Sequence, residues 1–398
     1  MKLFSFLAIS LCVVSLVCVS INASADVPHY GITGLGVRIP AGCVGAAAIN
    51  DQGQVIGWGH SPTDNGVNGP SQIVGDGQPN LAGFNRDYST GKLCKQYANG
   101  HTYLWQNGRR QNLGVFSGCG MNARGQIIGQ PFDSSGGGQP FVWEHGVVRH
   151  LPNLPGGCGE DVEGINDSGQ VVGLERGGGP GTLHAFLWQS GRMTDLGDFA
   201  GKDSTLTGIC INNRGQVAVS AFTYSFDAER HPTGGGTRRF FLWQNGQTQE
   251  ISAFVGPDAD VLKINDKAEM IGSLQTKAHL QHAAFWSQGK RRDLGTLGGQ
   301  WSQAFALNNA GQVVGAAALR DGKIHAFLSD KGKLFDLNKF LPAHSYWVLQ
   351  RATGINNQGL IVGDGLYRGH NCSFLLTPQG ARVLSRRKLS AGQKELLG

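Results

Sequence analysis

The chain has 398 residues, of which 62 are glycine, 40% are hydrophobic and 16% are charged, and its formal net charge is +6. This composition excludes intrinsic disorder, which needs high charge and few apolar residues, and collagen, which needs glycine at every third position. The basic residues are scattered except for Arg386, Arg387 and Lys388, so the basic stripe with aromatic platforms typical of nucleic-acid binding is absent.

The first 25 residues have the features of a signal peptide. Lys2 supplies the positive start, Leu3 to Val19 is apolar, and Ala23-Ser24-Ala25 has the small-x-small pattern that precedes cleavage. We therefore expect residues 1–25 to be removed and the mature protein to be secreted or periplasmic. A lipoprotein site at Cys18 is the alternative, but Val17 stands where that modification prefers a small residue. No later stretch has the roughly 18 to 20 apolar residues that a membrane-spanning helix needs.

A short predicted strand, Ile32–Gly36, follows the leader and stands apart from the repeats. Seven segments then share one pattern: an apolar residue, Asn, two variable residues, usually Gly-Gln, two aliphatic residues and Gly. They begin at Ile49, Met121, Ile165, Ile211, Ile264, Leu307 and Ile355. Their asparagines lie 43 to 72 residues apart, and the longest interval contains an insertion from about Trp58 to Gly100.

Each repeat begins as a predicted β-hairpin. The Asn side chain closes an Asx turn, and a glycine takes the left-handed position of a bulged turn. These glycines are Gly53, Gly125, Gly169, Gly215, Gly311 and Gly359, and the fifth copy has Ala268 instead. A calcium loop is the weaker reading of Asn-Asp-x-Gly, because the further acidic ligands are missing.

A third and a fourth strand follow each hairpin. His184 to Trp188 is the clearest third strand, and Thr194 to Gly197 is typical of the fourth. Four short strands in every 40 to 50 residues are the signature of a propeller blade, so the sequence predicts an all-β, seven-bladed β-propeller over residues 26–385 and a polar tail over 386–398. Ile32–Gly36 would close the ring as the fourth strand of the last blade, although Ala381–Leu384 could also fill that place.

These two motifs resemble the bacterial extracellular repeat family called HAF. The resemblance rests on His184-Ala185-Phe186-Leu187-Trp188 together with Ile165-Asn166 and Gly169 to Gly173, and it covers nearly all of residues 30–380. It implies an exported repeat protein whose biochemical role is generally unassigned. Some family members end in a sorting signal, but the polar tail here does not imply surface anchoring by that route.

Six cysteines remain after the leader, and an even number in an exported protein favours disulfides. The first four would lie on the face that carries the insertion, so Cys94 could join Cys43, while Cys119 and Cys158 could join neighbouring blades. The connectivity is open. No Cys-x-x-Cys spacing indicates zinc, and we predict no metal or other cofactor.

The histidines repeat at His101, His184, His282 and His325, with Gln139, Arg239 and Cys372 in the other copies. Equivalent side chains on stacked sheets lie about 10 Å apart. A structural hydrogen bond in each blade therefore explains them better than a shared metal. By the same argument, the tryptophans of the third strands are predicted to pack between blades.

Candidate ligand-binding residues lie where the presumed inner strands begin. Polar side chains interrupt a small, apolar pattern there, and two tryptophans stand in the corresponding entry loops. These candidates are Asp161, Glu163, Thr207, Asp260, Lys263, Gln303, Arg351, Trp301 and Trp347. They would either ring a central pocket or line a solvated channel.

The sequence contains no nucleophile elbow, phosphate loop or compact carboxylate pair. We therefore expect a noncatalytic module that binds a glycan or a protein, and we predict no catalytic residue. The alternative is an extracytoplasmic enzyme, such as a polysaccharide lyase or lactone hydrolase, with Asp161, Glu163, Asp260, Lys263 and Arg351 around a central site. That alternative requires these groups to converge on one cavity. The sequence does not indicate the oligomeric state.

Overall fold

The computed structural model describes residues 29–35, 45–59, 101–131, 139–155, 157–176, 183–201, 203–227, 229 and 231–379. These residues form seven antiparallel sheets of four strands each, arranged as a seven-bladed β-propeller. Helical structure within these ranges is limited to α1 (Ser252–Val255) and a 3₁₀ turn, Leu337–Phe340. The predicted fold class is confirmed.

The blades are numbered from the first repeat. The first strands of blades 1 to 7 are β2 (Gly45–Ile49), β6 (Ser117–Met121), β10 (Cys158–Ile165), β14 (Ser204–Ile211), β18 (Ala259–Ile264), β22 (Gly298–Leu307) and β26 (Trp347–Ile355). The second strands are β3 (Val55–Gly59), β7 (Ile127–Gln130), β11 (Val171–Arg176), β15 (Val217–Phe226), β19 (Met270–Gln275), β23 (Val313–Leu319) and β27 (Ile361–Tyr367). The third strands are β4 (His101–Gln106), β8 (Phe141–Glu144), β12 (Leu183–Gln189), β16 (Pro232–Gln244), β20 (Gln281–Ser287), β24 (Ile324–Asp330) and β28 (His370–Gln379). The fourth strands of blades 1 to 6 are β5 (Arg109–Gly114), β9 (Val147–His150), β13 (Arg192–Gly197), β17 (Gln247–Glu250), β21 (Lys290–Gly295) and β25 (Lys333–Asp336).

The first strands lie innermost. Each contacts the first strand of the next blade, and β26 contacts β2, so the seven strands form a closed inner ring. A separate apolar cluster fills each of the seven blade interfaces. Trp286, which is fully buried between blades 4 and 5, exemplifies the predicted packing role of the repeated tryptophans. The fold is therefore held by seven small cores that only neighbouring blades can complete.

The N-terminal strand completes blade 7. Strand β1 (His29–Gly34) pairs with β28 in antiparallel register from His29 opposite Gln379 to Gly34 opposite Phe374. Tyr30 is only 4% exposed and packs in the apolar cluster between blades 6 and 7. The predicted closure is confirmed, with the strand three residues earlier at its start than expected. The competing segment Ala381–Leu384 lies outside the described residues.

A ring of asparagine side chains, called here the asparagine girdle, links all seven blades. Asn50 Nδ2 donates to the backbone carbonyl of Asn122 in the next blade at 2.9 Å, and the series ends with Asn356 donating to Asn50 at 3.0 Å. The members are Asn50, Asn122, Asn166, Asn212, Asn265, Asn308 and Asn356, and all are buried. Their Oδ1 atoms accept N–H groups two and four residues later, which confirms the Asx turn.

A second girdle runs beside the first through the residues that follow these asparagines. In six of the seven blades the backbone N–H of that residue donates to an Asp or Asn side chain of the next blade, at 2.7 to 3.0 Å. The acceptors are Asp167, Asn213, Asp266, Asn309, Asn357 and Asp51. The seventh position is Ala123, which carries no side-chain acceptor, so the second girdle is interrupted between blades 1 and 2.

The repeated histidines join the third and fourth strands within a blade. Each places Nδ1 2.9 to 3.1 Å from a side-chain oxygen on the neighbouring strand, in the pairs His101–Asn112, His184–Asp195, His282–Asp293 and His325–Asp336. In blade 4, Arg239 and Glu250 form the corresponding pair at 2.6 Å. This confirms the structural role predicted for the histidines. No group of three or more potential metal ligands occurs in the described ranges.

Candidate functional site

The propeller has two distinct faces. One carries the two girdles at the ends of the first strands. The opposite one, called here the entry face, carries the residues that lead into the first strands and the connections between second and third strands. The predicted ligand residues Asp161, Thr207, Asp260, Gln303 and Arg351 each precede a girdle asparagine by five residues, so all lie toward the entry face.

A repeated β-bulge sets the positions of these side chains. In blade 5, for example, Val261 pairs with Gly272 and Lys263 pairs with Ile271, which leaves Leu262 as the extra residue. A Cβ on Gly272 would collide with the carbonyl oxygen of Asp260, so the final glycine of the repeat is needed for this close approach. The same contact recurs for Gly57, Gly173, Gly315 and Gly363.

Blade 4 is the exception. It has Val219 where the other blades have this glycine, and its bulge is displaced to Thr207, between the pairs Leu206–Ala221 and Gly208–Ser220. Thr207 is 9% exposed, and its Oγ1 makes no hydrogen bond within the described part of the chain. The Thr207 side chain therefore lies at the bulge and is nearly fully buried.

A cleft of about 950 Å³ opens on the entry face across blades 4 to 6. It brings together two of the predicted residues, Asp260 and Gln303, with Arg238 from the third strand of blade 4. The Arg238 Nη1 and Asp260 Oδ1 atoms lie 3.5 Å apart. The volume of the cleft falls in the range typical of small-molecule binding sites. The lining residues are Arg238, Pro257, Asp258, Ala259, Asp260, Leu262, Ser273, Leu274, Gln275, Thr276, Lys277, His279, Gln281, Arg291, Asp293 and Gln303.

A second ion pair lies at the outer end of the cleft. Arg291 Nη1 contacts Asp258 Oδ1 at 2.6 Å, and both side chains are about one-third exposed. Amide, hydroxyl and charged groups therefore line the cleft from its inner to its outer end, with no Phe, Tyr or Trp among the described lining residues. Such a surface can hydrogen-bond a polar ligand at many points, whereas its mutually paired charges do not select strongly for one sign of ligand charge.

Arg351 takes part in closing the ring. Its Nη2 lies 3.7 Å from Asp364 Oδ2, and Asp364 Oδ1 accepts hydrogen bonds from Ala46 N at 3.2 Å and Ser373 Oγ at 2.7 Å. Desolvation raises the pKa of Asp364, and the Arg351 charge opposes that rise. Since Ala46 belongs to blade 1, Arg351 and Asp364 stabilise the junction of blades 7 and 1.

The remaining charged candidates lie outside the cleft lining. Asp161 and Glu163 are half-buried on blade 3, and Lys263 is exposed, two residues before its girdle asparagine. Burial raises the pKa of the nearby Cys210 thiol to about 12, with Lys263 acting to lower it. Of the charged candidates, Asp260 alone lines the cleft.

The two candidate tryptophans are both half-buried. Trp301 is not part of the cleft lining. The Trp347 ring lies 5.2 Å from Tyr367 and 6.2 Å from Phe374, so it packs within blade 7. Its neighbour Tyr346 is instead 61% exposed. Aromatic exposure in this loop therefore belongs to a residue that the sequence analysis did not select.

The disulfide prediction is not confirmed. Cys43 and Cys94 lie outside the described residues, as does the side chain of Cys158. Cys119 Sγ lies 3.5 Å from the carbonyl oxygen of Ser117. No disulfide is present among the side chains that the structure describes.

The sequence analysis did not select the ion-paired cleft residues Arg238, Asp258 and Arg291. A signal existed for Arg238, because it precedes Arg239, which aligns with the repeated histidines, whereas the corresponding neighbours Leu183, Gln281 and Ile324 are uncharged. The other two lie on a connection and on a fourth strand. A comparison restricted to the first strands does not reveal them.

The sequence matches no protein-family model and no curated protein. Among solved structures, the chain is similar to the β-propeller domain of the Trilobed protease from Pyrococcus furiosus, which is described as having an open velcro topology. The two are 9% identical with a TM-score of 0.51, and the match covers 84% of this chain and 97% of that domain. An acylaminoacyl peptidase matches with 10% identity and a TM-score of 0.48 over 84% of this chain, which spans about half (51%) of that enzyme.

TolB from Acinetobacter baumannii matches with 10% identity and a TM-score of 0.39, over 71% of this chain and 60% of that one. Within the described residues, no helix is long and apolar enough to cross a membrane. At 9% identity, the likeness to the propeller domain of the Trilobed protease shows a shared fold alone. This chain is a seven-bladed β-propeller, and the fold alone does not assign a function.

Proposed function

We propose that the protein is an exported, noncatalytic binding module that holds a glycan or protein ligand on its entry face. The observation that carries this proposal is the cleft across blades 4 to 6, where Asp260, Gln303 and Arg238 converge on one cavity. The closed ring beneath supplies a rigid support, since both girdles and seven apolar clusters tie the blades together. A rigid frame with polar groups at its mouth reduces the entropy lost on binding.

The distribution of charged groups favours binding over catalysis. The enzyme alternative needs five groups around one cavity, yet only Asp260 of that set lines the cleft. Arg351 is engaged with Asp364 at the ring junction. Within the cleft, Arg238 is paired with Asp260 and Arg291 with Asp258, and such paired charges support a hydrogen-bonding surface for a ligand.

The binding proposal is tested with the purified mature chain beginning at Asp26. Binding is measured on a glycan array and, for protein ligands, by calorimetric titration of candidates that co-purify with it. The variant Gln303→Ala with Asp260→Asn removes cleft hydrogen bonds, and Lys290→Ala, an exposed change on β21, is the matched control. We expect weaker binding for the cleft variant alone. Equal binding by all three proteins would refute the cleft assignment.

Export is part of the proposal and has its own test. Residues 1–25 have the signal-peptide pattern, and the HAF resemblance implies an extracellular repeat protein. We expect the protein recovered from periplasm or medium to have Asp26 as its first residue. Retention of an uncleaved leader in the cytoplasmic fraction would contradict this proposal.

A further inference from the structure

An aromatic platform lies on the entry face of blade 7, separate from the cleft. It consists of Tyr346, Tyr367 and Arg368 and is called here the blade 7 platform. Tyr346 immediately precedes β26, Tyr367 ends β27, and Arg368 begins the turn to β28. The Arg368 N–H donates to the Tyr346 carbonyl at 3.0 Å, which joins the two connections.

Arg368 lies against both tyrosine rings. Its guanidinium carbon is 4.9 Å from the centre of the Tyr346 ring and 5.5 Å from that of Tyr367. Such cation–π contacts hold a ring in place while leaving the opposite ring face available. Tyr346 remains 61% exposed, more than any other large hydrophobic side chain in the described ranges. The platform therefore presents a fixed aromatic surface to solvent.

The backbone beneath the platform is unusual. Tyr346 has φ +59° and His344 has φ +61°, so two side-chain-bearing residues within one short connection adopt the left-handed region. Neither is followed by glycine, unlike Arg368, which forms a regular hairpin turn with Gly369. Bulky residues in this conformation persist where surrounding structure holds them, and they concentrate at ligand sites.

Trp347 supports the platform from below. It packs 5.2 Å from Tyr367 and contacts Phe374, which is fully buried in the core of blades 6 and 7. Tyr346 precedes the strand in a left-handed conformation and is exposed, whereas the next residue, Trp347, packs against the interior of blade 7. Trp347 is therefore a positioning residue.

We propose that the blade 7 platform binds a neutral carbohydrate, with one sugar ring stacked on the face of Tyr346 opposite the one that Arg368 covers. The face of an aromatic ring carries partial negative charge and attracts the weakly positive C–H groups of a sugar. Arg368 holds the ring from its other face, so the stacking surface is fixed before the sugar binds. This inference rests on the proposed binding function and names its ligand class, but it does not depend on the cleft.

The small size of the platform favours a sugar over a protein. A stable protein interface buries about 800 Å² on each partner. Here the exposed apolar surface consists mainly of Tyr346 and the nearby Val348, which is 40% exposed. One or two sugar rings match this area, whereas a protein partner would need additional apolar contacts.

The test uses the purified mature chain with four neutral probes: cellohexaose, hexa-N-acetylchitohexaose, mannohexaose and xylohexaose. Isothermal titration gives the affinity, and comparison of the platform variants with the wild type reports the site. We expect at least one probe to bind, Tyr346→Ala to weaken that binding by about tenfold or more, and Tyr346→Phe to retain it, since the phenyl ring preserves the stacking surface. Arg368→Ala should also weaken it.

Tyr224→Ala is the matched control, because Tyr224 is a 44% exposed tyrosine on blade 4. Circular dichroism and urea unfolding of each variant establish that the fold is retained. If a probe binds equally to wild type and Tyr346→Ala but not to the Gln303→Ala, Asp260→Asn cleft variant, the platform proposal fails and the proposed function stands. If none of the four probes binds, the platform proposal fails as well, and the cleft is then judged by its own binding tests.

Discussion

The gap in the second girdle allows a gain of stability to be predicted. At position 123 alanine provides no acceptor for the backbone N–H of Asp51, although the six equivalent links are present. We expect Ala123→Asn to supply the missing bond. Asparagine is preferable to aspartate because Asp51 and Asp167 flank this position along the girdle, and a third carboxylate would be repelled by both. An asparagine next to an aspartate is favourable elsewhere in the second girdle, where Asn357 Nδ2 donates to Asp51 Oδ2 at 2.7 Å.

The magnitude follows from the bonds gained and the freedom lost. One neutral hydrogen bond contributes about 0.5 to 1.5 kcal/mol net. An amide donating to a partly exposed carboxylate adds roughly 0.5 kcal/mol, and ordering the new side chain costs about the same. We therefore expect Ala123→Asn to raise the free energy of unfolding by about 1 kcal/mol. Ala123→Asp should give a smaller gain, and Ala123→Leu, which has volume but no acceptor, should give none.

Two measurements check this prediction. Urea unfolding of the three variants and the wild type gives the change in stability, provided that the slope with urea is unchanged. Hydrogen exchange then reports the Asp51 amide directly, because a new bond should slow its exchange in the Asn variant alone. The reasoning is refuted if Ala123→Asn leaves both the unfolding free energy and the Asp51 exchange rate at their wild-type values.

Four further predictions concern single features of the fold. Ala268 has φ +58°, a left-handed conformation in which the other repeats have glycine. Ala268→Gly should therefore raise the free energy of unfolding, measured in urea, by roughly 0.5 to 1 kcal/mol. A loss of stability would contradict the turn assignment. Burial raises the pKa of Glu175 in the folded protein above its ordinary value of 4.5. The contribution of Glu175 to stability is therefore most favourable at low pH, where the group is protonated in both the folded and the unfolded protein. That contribution is lost as pH rises from about 4.5 through the raised pKa of the folded protein. Glu175→Gln should therefore be more favourable, relative to wild type, at pH 8 than at pH 4, and an equal difference at both pH values would count against this account. Because the pKa of Cys210 is about 12, iodoacetamide at pH 8 should label it only after unfolding, as judged by peptide mass spectrometry, and rapid labelling of the native chain would disprove its burial. Deleting His29–Gly34 should expose the edge of β28 and cause self-association in size-exclusion chromatography, whereas a monomeric, equally stable product would show that β1 is dispensable.

Local patterns carried most of the fold prediction. An Asx turn, a left-handed glycine and an alternating apolar strand each involve residues within a few positions of one another, so the hairpins around Asn166 and Gly169 were recognisable from the sequence. The repeat number then implied seven blades. Closure by β1 followed from the need to protect a sheet edge.

The inter-blade bonds were not predictable in the same way. Asn122 Nδ2 donates to a carbonyl 44 residues away, and the local Asx turn already accounts for the presence of asparagine. The structural reason for the glycine at the end of the repeat was likewise not predictable from the sequence. Gly272 fits a general strand pattern, and only the bulge shows that the Asp260 carbonyl passes where a side chain would lie.

The candidate site was predicted only in part because its residues come from different strands. Asp260 and Gln303 were found from their positions on first strands, but Arg238 reaches the cleft from a third strand of another blade. Arg351 occupies the position in its repeat that Asp260 occupies in blade 5, but it pairs with Asp364. Equivalent positions share a backbone location, whereas the partner available to each side chain depends on what its particular neighbours supply.

The pairing of His29 with Gln379 has a consequence for engineering the chain. These two residues lie directly opposite each other at one end of an antiparallel pair, so a two-residue turn could connect them covalently. New termini could then be opened in a loop between two other blades, with the order of the blades around the circle preserved. Because the girdle bonds between blades 7 and 1 are the same as those at other junctions, such a circular permutant should keep every blade contact of the original protein.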